Sequence, residues 1–160
     1  MMKIKLIITV LLPFVFVSVS SAQIPEVNKS IIKYVNSVIG FKVNRGECWD
    51  LAKEALEQNN CDWDGGYKFG KKINPKTDSI FPGDIIQFSG VKLKFIKDGL
   101  LYNENYNHHT AIIYCVKGKN IFKIAHQNNA FSGKKVGISE INLDNKKSGT
   151  IDFFRPVVKN

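Results

Sequence analysis

Cys48, His109 and a polar residue at His126 or Asn128 are the side chains whose types could together carry out covalent catalysis at a carbonyl. A thiolate attacks the carbonyl, an imidazole within hydrogen-bond reach moves the proton, and a third polar group fixes that imidazole's tautomer and orientation. Cys48 stands in Gly46-Glu47-Cys48-Trp49-Asp50-Leu51-Ala52, where Cys48, Leu51, Ala52, Ala55 and Leu56 recur at the spacing of one apolar helical stripe. The spacing predicts a sulfur on the first turn of a helix, turned inward, where unpaired backbone N–H groups and the helix dipole favour thiolate. A buried cysteine that merely packs is the plainer use of the same position.

The histidines lie in His108-His109-Thr110-Ala111-Ile112-Ile113-Tyr114 and in Ile124-Ala125-His126-Gln127-Asn128. Both stretches read as strands, joined by the turn Lys117-Gly118-Lys119-Asn120, so they should pair antiparallel and bring His109 beside residues 126–128. Alternation places Phe122, Ile124, His126 and Asn128 on one face and Ile121, Lys123, Ala125 and Gln127 on the other, which the lysine marks as the wetter. His126 and Asn128 are then the inward candidates, Gln127 points away, and His108 and His109 must face opposite ways. Zinc ligands at Cys-x-x-Cys or His-x-x-x-His spacing do not occur, so neither a metal nor another cofactor is expected. An oxyanion would be met by the backbone N–H of Cys48, with Asn44 as a candidate second donor.

These residues need a scaffold. Val27, Ile31, Tyr34, Val35 and Val38 repeat at helical spacing between Pro25 and Gly40 and predict a first amphipathic helix. The cysteine helix follows and should run to about Gln58. Residues 61–82, rich in Gly, Asp, Asn and Pro and carrying Trp63, Tyr67 and Phe69, read as a long ordered loop. Beyond Pro82-Gly83-Asp84 the pattern turns to strands: 85–88, a hairpin of 91–96 with 100–102 about Asp98-Gly99, a second hairpin of 110–116 with 121–127, then 136–143 and 150–155. Helices followed by an antiparallel meander predict an α+β domain.

Residues 1–22 differ in kind. Lys3 and Lys5 precede an apolar run over 6–17 and the small residues Ser20-Ser21-Ala22, the pattern of a secretory signal peptide whose apolar part is short for a membrane span. Residues 23–160 are then one exported domain, secreted or periplasmic, with no integral span after cleavage. The 160 residues carry a formal charge of +9, and loss of the two leader lysines leaves +7. That charge suits an anionic partner, but the lysines are scattered and form no nucleic-acid motif, so nucleic acid is not the expected partner. Three cysteines, Cys48, Cys61 and Cys115, flag a free thiol in an exported chain. Pairing of Cys61 with Cys115 and three reduced thiols both remain open.

The order of Cys48 on its helix, Pro82-Gly83-Asp84-Ile85-Ile86-Gln87-Phe88, His109-Thr110-Ala111-Ile112 and His126-Gln127-Asn128 resembles the papain-like NlpC and CHAP superfamily of cysteine peptidases and amidases. The resemblance covers residues 46–128. It implies N-terminal helices packed on an antiparallel, partly barrel-like sheet, with the last strands closing the barrel. It further implies Cys48 as nucleophile, His109 as base, His126 in the orienting position and Asn128 at the polar position used by CHAP members. The substrate class implied is peptidoglycan, or another amide-containing substrate, cleaved without a cofactor. A catalytically silent wall- or ligand-binding module, and an acyltransferase or toxin on the same scaffold, are the competing functions.

Overall fold

The computed structural model describes residues 23–160, so the expected signal peptide lies outside the described residues. Helix α1 spans Glu26–Val38 and follows directly on Pro25, whose fixed φ suits a helix entry. Helix α2 spans Cys48–Gln58 and opens on a capping box in which Glu47 and Asp50 each accept the other's backbone N–H. The strands are β1 (Lys71–Ile73), β2 (Ile85–Lys97), β3 (Leu100–Gly118), β4 (Ile121–His126), β5 (Gly137–Asn142) and β6 (Lys146–Arg155), with a 3-10 turn, Leu143–Asn145, before β6. No helix among the described residues is long and apolar enough to cross a membrane.

The sheet is antiparallel with six strands in the order β1-β6-β2-β3-β4-β5. Strands β1 and β5 are its two edges, so the expectation of a partly barrel-like sheet closed by its last strands is corrected: the sheet is open. Closure requires the outer strands to pair, whereas β6 turns back to the far side of β2 and the outermost strand there, β1, has only three residues. The sheet is nevertheless strongly curved. Phe122 on β4 and Phe153 on β6 have ring centroids 5.9 Å apart, although three inter-strand steps of a flat sheet would separate them by about 14 Å. The bend accompanies a register shift between Ser89 and Lys92, where the backbones of Gly90 and Gly149 press together. A Cβ on Gly149 would lie 2.4 Å from Gly90, so only glycine fits.

Two buried clusters follow from this shape. Ile31 and Val35 of α1 and Leu51, Ala55 and Leu56 of α2 pack on Ile85, Ile112, Ala125 and Phe154 of the sheet. Ile86, Phe88, Ile113, Phe122, Ile124 and Phe153 fill the opposite, concave face. What the sequence presents as separate short strands, 85–88 with 91–96 and 100–102 with 110–116, are two long strands, β2 and β3, joined at Asp98-Gly99 with φ +50° and +75°.

The Pro-Gly-Asp motif is a structural lock. Asp84 is fully buried and accepts bonds from Asn28 Nδ2 at 2.8 Å, Arg155 Nε at 3.2 Å, an Arg155 terminal nitrogen at 2.9 Å and the Phe81 N–H at 2.8 Å. It thereby ties α1, the start of β2 and the end of β6 together. Gly83 has φ +88°, and a Cβ there would meet the Asn28 carbonyl oxygen at 2.6 Å, so helix and turn approach more closely than any other residue would permit.

Candidate active site

Residues 43–47, which lead into the cysteine helix, are held by Gln127 and Asn128 just after β4. Gln127 is fully buried; its Oε1 accepts the Val43 N–H at 3.1 Å, and its Nε2 donates to the carbonyls of Val43 at 3.0 Å and Glu47 at 2.8 Å. Asn128 Nδ2 donates to Glu47 Oε2 at 2.8 Å, and Lys134 pairs with the other Glu47 oxygen. The expectation that Gln127 points away is therefore corrected. Gln127 keeps to the face of Ala125, but the helices and residues 43–47 cover that face, so Lys123 does not mark it as wet at this end of the strand; Asn128, with φ +58°, lies beyond β4. Asn128 reaches the loop that leads into α2 rather than His109. Asn44, the candidate oxyanion donor, sends its Nδ2 to Glu54 at 3.0 Å.

The Cys48 sulfur is half-buried and lies 3.8 Å from the carbonyl oxygen of His108, to which the thiol donates. Burial pushes the thiol's pKa up; the backbone N–H groups of Thr110 and Trp49 pull it partly back, and the Glu47 carboxylate adds to the rise. The helix start thus supplies donors, as the sequence suggests, but desolvation outweighs them and the resting group is the thiol. The sulfur thus lies against the backbone of residues 108 and 110, while the His109 ring turns to the concave face with Phe88 and Tyr106. No hydrogen bond joins Sγ to the His109 ring among the described residues.

His109 and His126 do meet. His109 Nε2 lies 2.9 Å from His126 Nδ1, and His126 Nε2 lies 2.8 Å from Ser139 Oγ. Phe88 and Tyr106 flank the His109 ring at centroid distances of 6.2 and 5.1 Å. Ser139 is the member that sequence reasoning missed. It sits opposite Ile124 on β5, on the face shared with Ile141, so a polar residue at an inward position was the available signal.

Burial lowers the pKa of His109 to about 4 and, with the neighbouring His109, that of His126 to about 3. Both rings are neutral at pH 7. The unfolded chain therefore binds more protons than the folded one below the ordinary histidine value of about 6.5. This contribution to stability is complete above that pH and is lost as the pH falls through about 4 for His109 and about 3 for His126. The urea midpoint is expected to fall on acidification from pH 6.5, each ring contributing at most about 1.4 kcal/mol per pH unit, and to fall less steeply in His126→Gln. An equal slope in that variant would remove the histidine pair from the account.

All three cysteines are free; Cys61 is buried and Cys115 half-buried. Among the described residues no three His, Cys, Asp or Glu side chains converge as metal ligands would.

The model of the family described as "AIM3/BBC1 Cysteine proteinase-fold domain" matches residues 22–160. No curated protein matches the chain. A structure described as "The crystal structure of Ly7917" is 15% identical with a TM-score of 0.54, covering 81% of this chain and 62% of that one. Another, "The crystal structure of Ly7917 with the hydrolyzing product of MDP", is 17% identical with a TM-score of 0.49, covering 81% and 63%. The chain thus spans less than two thirds of those proteins, and the likeness to the first is one of fold. The papain-like cysteine-proteinase fold implied by the resemblance to NlpC and CHAP proteins is the fold found.

Proposed function

The chain belongs to the AIM3/BBC1 cysteine proteinase-fold domain family, and from that premise we propose that it is an exported cysteine hydrolase that cleaves amide bonds in peptidoglycan peptides. The observation that carries the reading is the chain of contacts from Ser139 through His126 to His109, beside a strand segment whose backbone receives the Cys48 sulfur. For His109 to accept a proton at Nδ1, its Nε2 must hold one and donate it to His126 Nδ1. His126 must then carry its own proton on Nε2 and donate it to Ser139 Oγ. The three side chains thus support the tautomer a base needs.

In this mechanism His109 Nδ1 takes the thiol proton as Sγ attacks the substrate carbonyl, and the Cys48 N–H receives the developing oxyanion. The imidazolium gives its proton to the leaving amine as the C–N bond breaks. Water, deprotonated by His109, then cleaves the thioester and regenerates the thiol. A depressed histidine pKa and a raised thiol pKa mean that proton transfer accompanies attack rather than precedes it. The peptidoglycan assignment draws on the resemblance to NlpC and CHAP proteins and on the +7 charge of residues 23–160, which suits an anionic wall. Residues 1–22 would direct export, leaving one catalytic domain.

The resting thiol, not hydrogen-bonded to His109, favours a second reading: a silent module that binds wall peptides without cleaving them. Incubation with defined muropeptides separates the two. Hydrolysis releases a new amine, is stopped by methyl methanethiosulfonate added at Cys48, as located by mass spectrometry, and returns with dithiothreitol. Muropeptides left intact by the unmodified protein would sink the hydrolase and leave the binding module.

A further inference from the structure

On the helix side of the sheet a cavity of about 440 Å³ opens between residues 64–72 and strands β2, β3 and β6. It holds neither Cys48 nor His109, yet it adjoins the sulfur through one residue. The His108 carbonyl accepts the Cys48 thiol, while its ring lines the cavity with the edge of Tyr67 against it at a centroid distance of 4.1 Å. The His108 ring lies on the face of Thr110 and Ile112, opposite to that of His109.

The donor pattern of the lining follows from its hydrogen bonds. Gln87 is buried, and its Nε2 lies 3.0 Å from the Phe88 carbonyl, which can only accept; Oε1 therefore faces Thr110 Oγ1 at 2.6 Å. The same Nε2 lies 3.3 Å from His108 Nδ1, so Nδ1 accepts and the ring proton resides on Nε2. That N–H has no partner among the described residues. The cavity's acids are already engaged: Asp152 pairs with Lys72 at 2.8 Å, and Asp64 accepts the Gly66 and Lys68 N–H groups at 2.8 and 3.1 Å. The Lys68 ammonium forms no direct ion pair among the described residues, although, after the Lys68 and Gly66 N–H groups, its charge helps hold the Asp64 pKa down. The lining thus offers a cation outside any direct ion pair and a neutral donor without a partner, with its carboxylates hydrogen-bonded or paired.

We infer that this cavity is a specificity subsite for a carboxylate on the substrate peptide, received by Lys68 Nζ and His108 Nε2–H. The inference builds on the proposed hydrolase only in supplying a peptide to that cleft. A peptide carboxylate seated there directs the chain past His108 toward the sulfur, and an uncharged amide in its place forfeits both charge assistance and the lysine.

The test uses the full chain carrying Cys48→Ala, titrated calorimetrically with a muropeptide bearing free carboxylates and with the same muropeptide fully amidated. The acid form is expected to bind at least tenfold more tightly. Adding Lys68→Gln or His108→Leu should each weaken the acid form while leaving the amide form within twofold. Equal affinities, binding of neither form, or an acid preference that survives both substitutions would overturn the subsite. The hydrolase reading fails by a different sign, intact muropeptides with unmodified protein, so the two failures are distinguishable.

Discussion

Cys48→Ala is expected to lower kcat on a muropeptide by about four orders of magnitude or more while shifting the melting temperature by only a few degrees. The thiol makes one weak bond, to the His108 carbonyl, and is half-buried, so little packing is lost. Alanine is also the strongest helix former at the head of α2. The proposed chemistry, by contrast, has no second thiol to turn to: Cys61 is buried beside the Asn59 carbonyl and Cys115 lies beside that of Val116. His109→Ala should cost a comparable factor, and the double variant little more than either, because base and nucleophile act as one unit. Cys48→Ala protein that kept more than about one hundredth of the activity would end the covalent mechanism.

Asp84→Ala is expected to remove about 3–5 kcal/mol of unfolding free energy, the largest stability effect anticipated for a single substitution. The carboxylate is fully buried, and its removal leaves the Arg155 guanidinium, 23% exposed, without its counter-charge and the Phe81 N–H and Asn28 Nδ2 without an acceptor. Asp84→Asn keeps an acceptor and should cost roughly half as much. Urea midpoints at pH 7.5 measure both. A loss below about 1 kcal/mol for the alanine variant would show that the arginine finds solvent readily and that the Gly-Asp motif is not what holds the helix to the sheet.

Much of this was legible. The cysteine helix, the two strand-borne histidines and their juxtaposition follow from apolar period and a short turn, and His126 does lie against His109. Alternation grouped Gln127 with Ala125 correctly, but Lys123 made their face look wet, and the helices that cover it come from far earlier in the chain. Curvature was equally hidden: the register shift near Gly90 depends on its contact with Gly149, far along the chain, so no local window reveals it. The open edge at β1 was hidden by its three residues, which read as loop among glycines and prolines. The thiol's raised pKa came from burial by the whole fold, which a helix-end argument alone omits.

Consecutive positions 126 and 127 serve opposite ends of the candidate site, one against His109 and the other against the loop that leads to the sulfur. A single-residue insertion or deletion within 121–127 would rotate both away at once, so no half-assembled version is reachable by that route. Length variation among descendants of this chain should therefore accumulate in the Asp98-Gly99 arm, leaving that seven-residue count untouched.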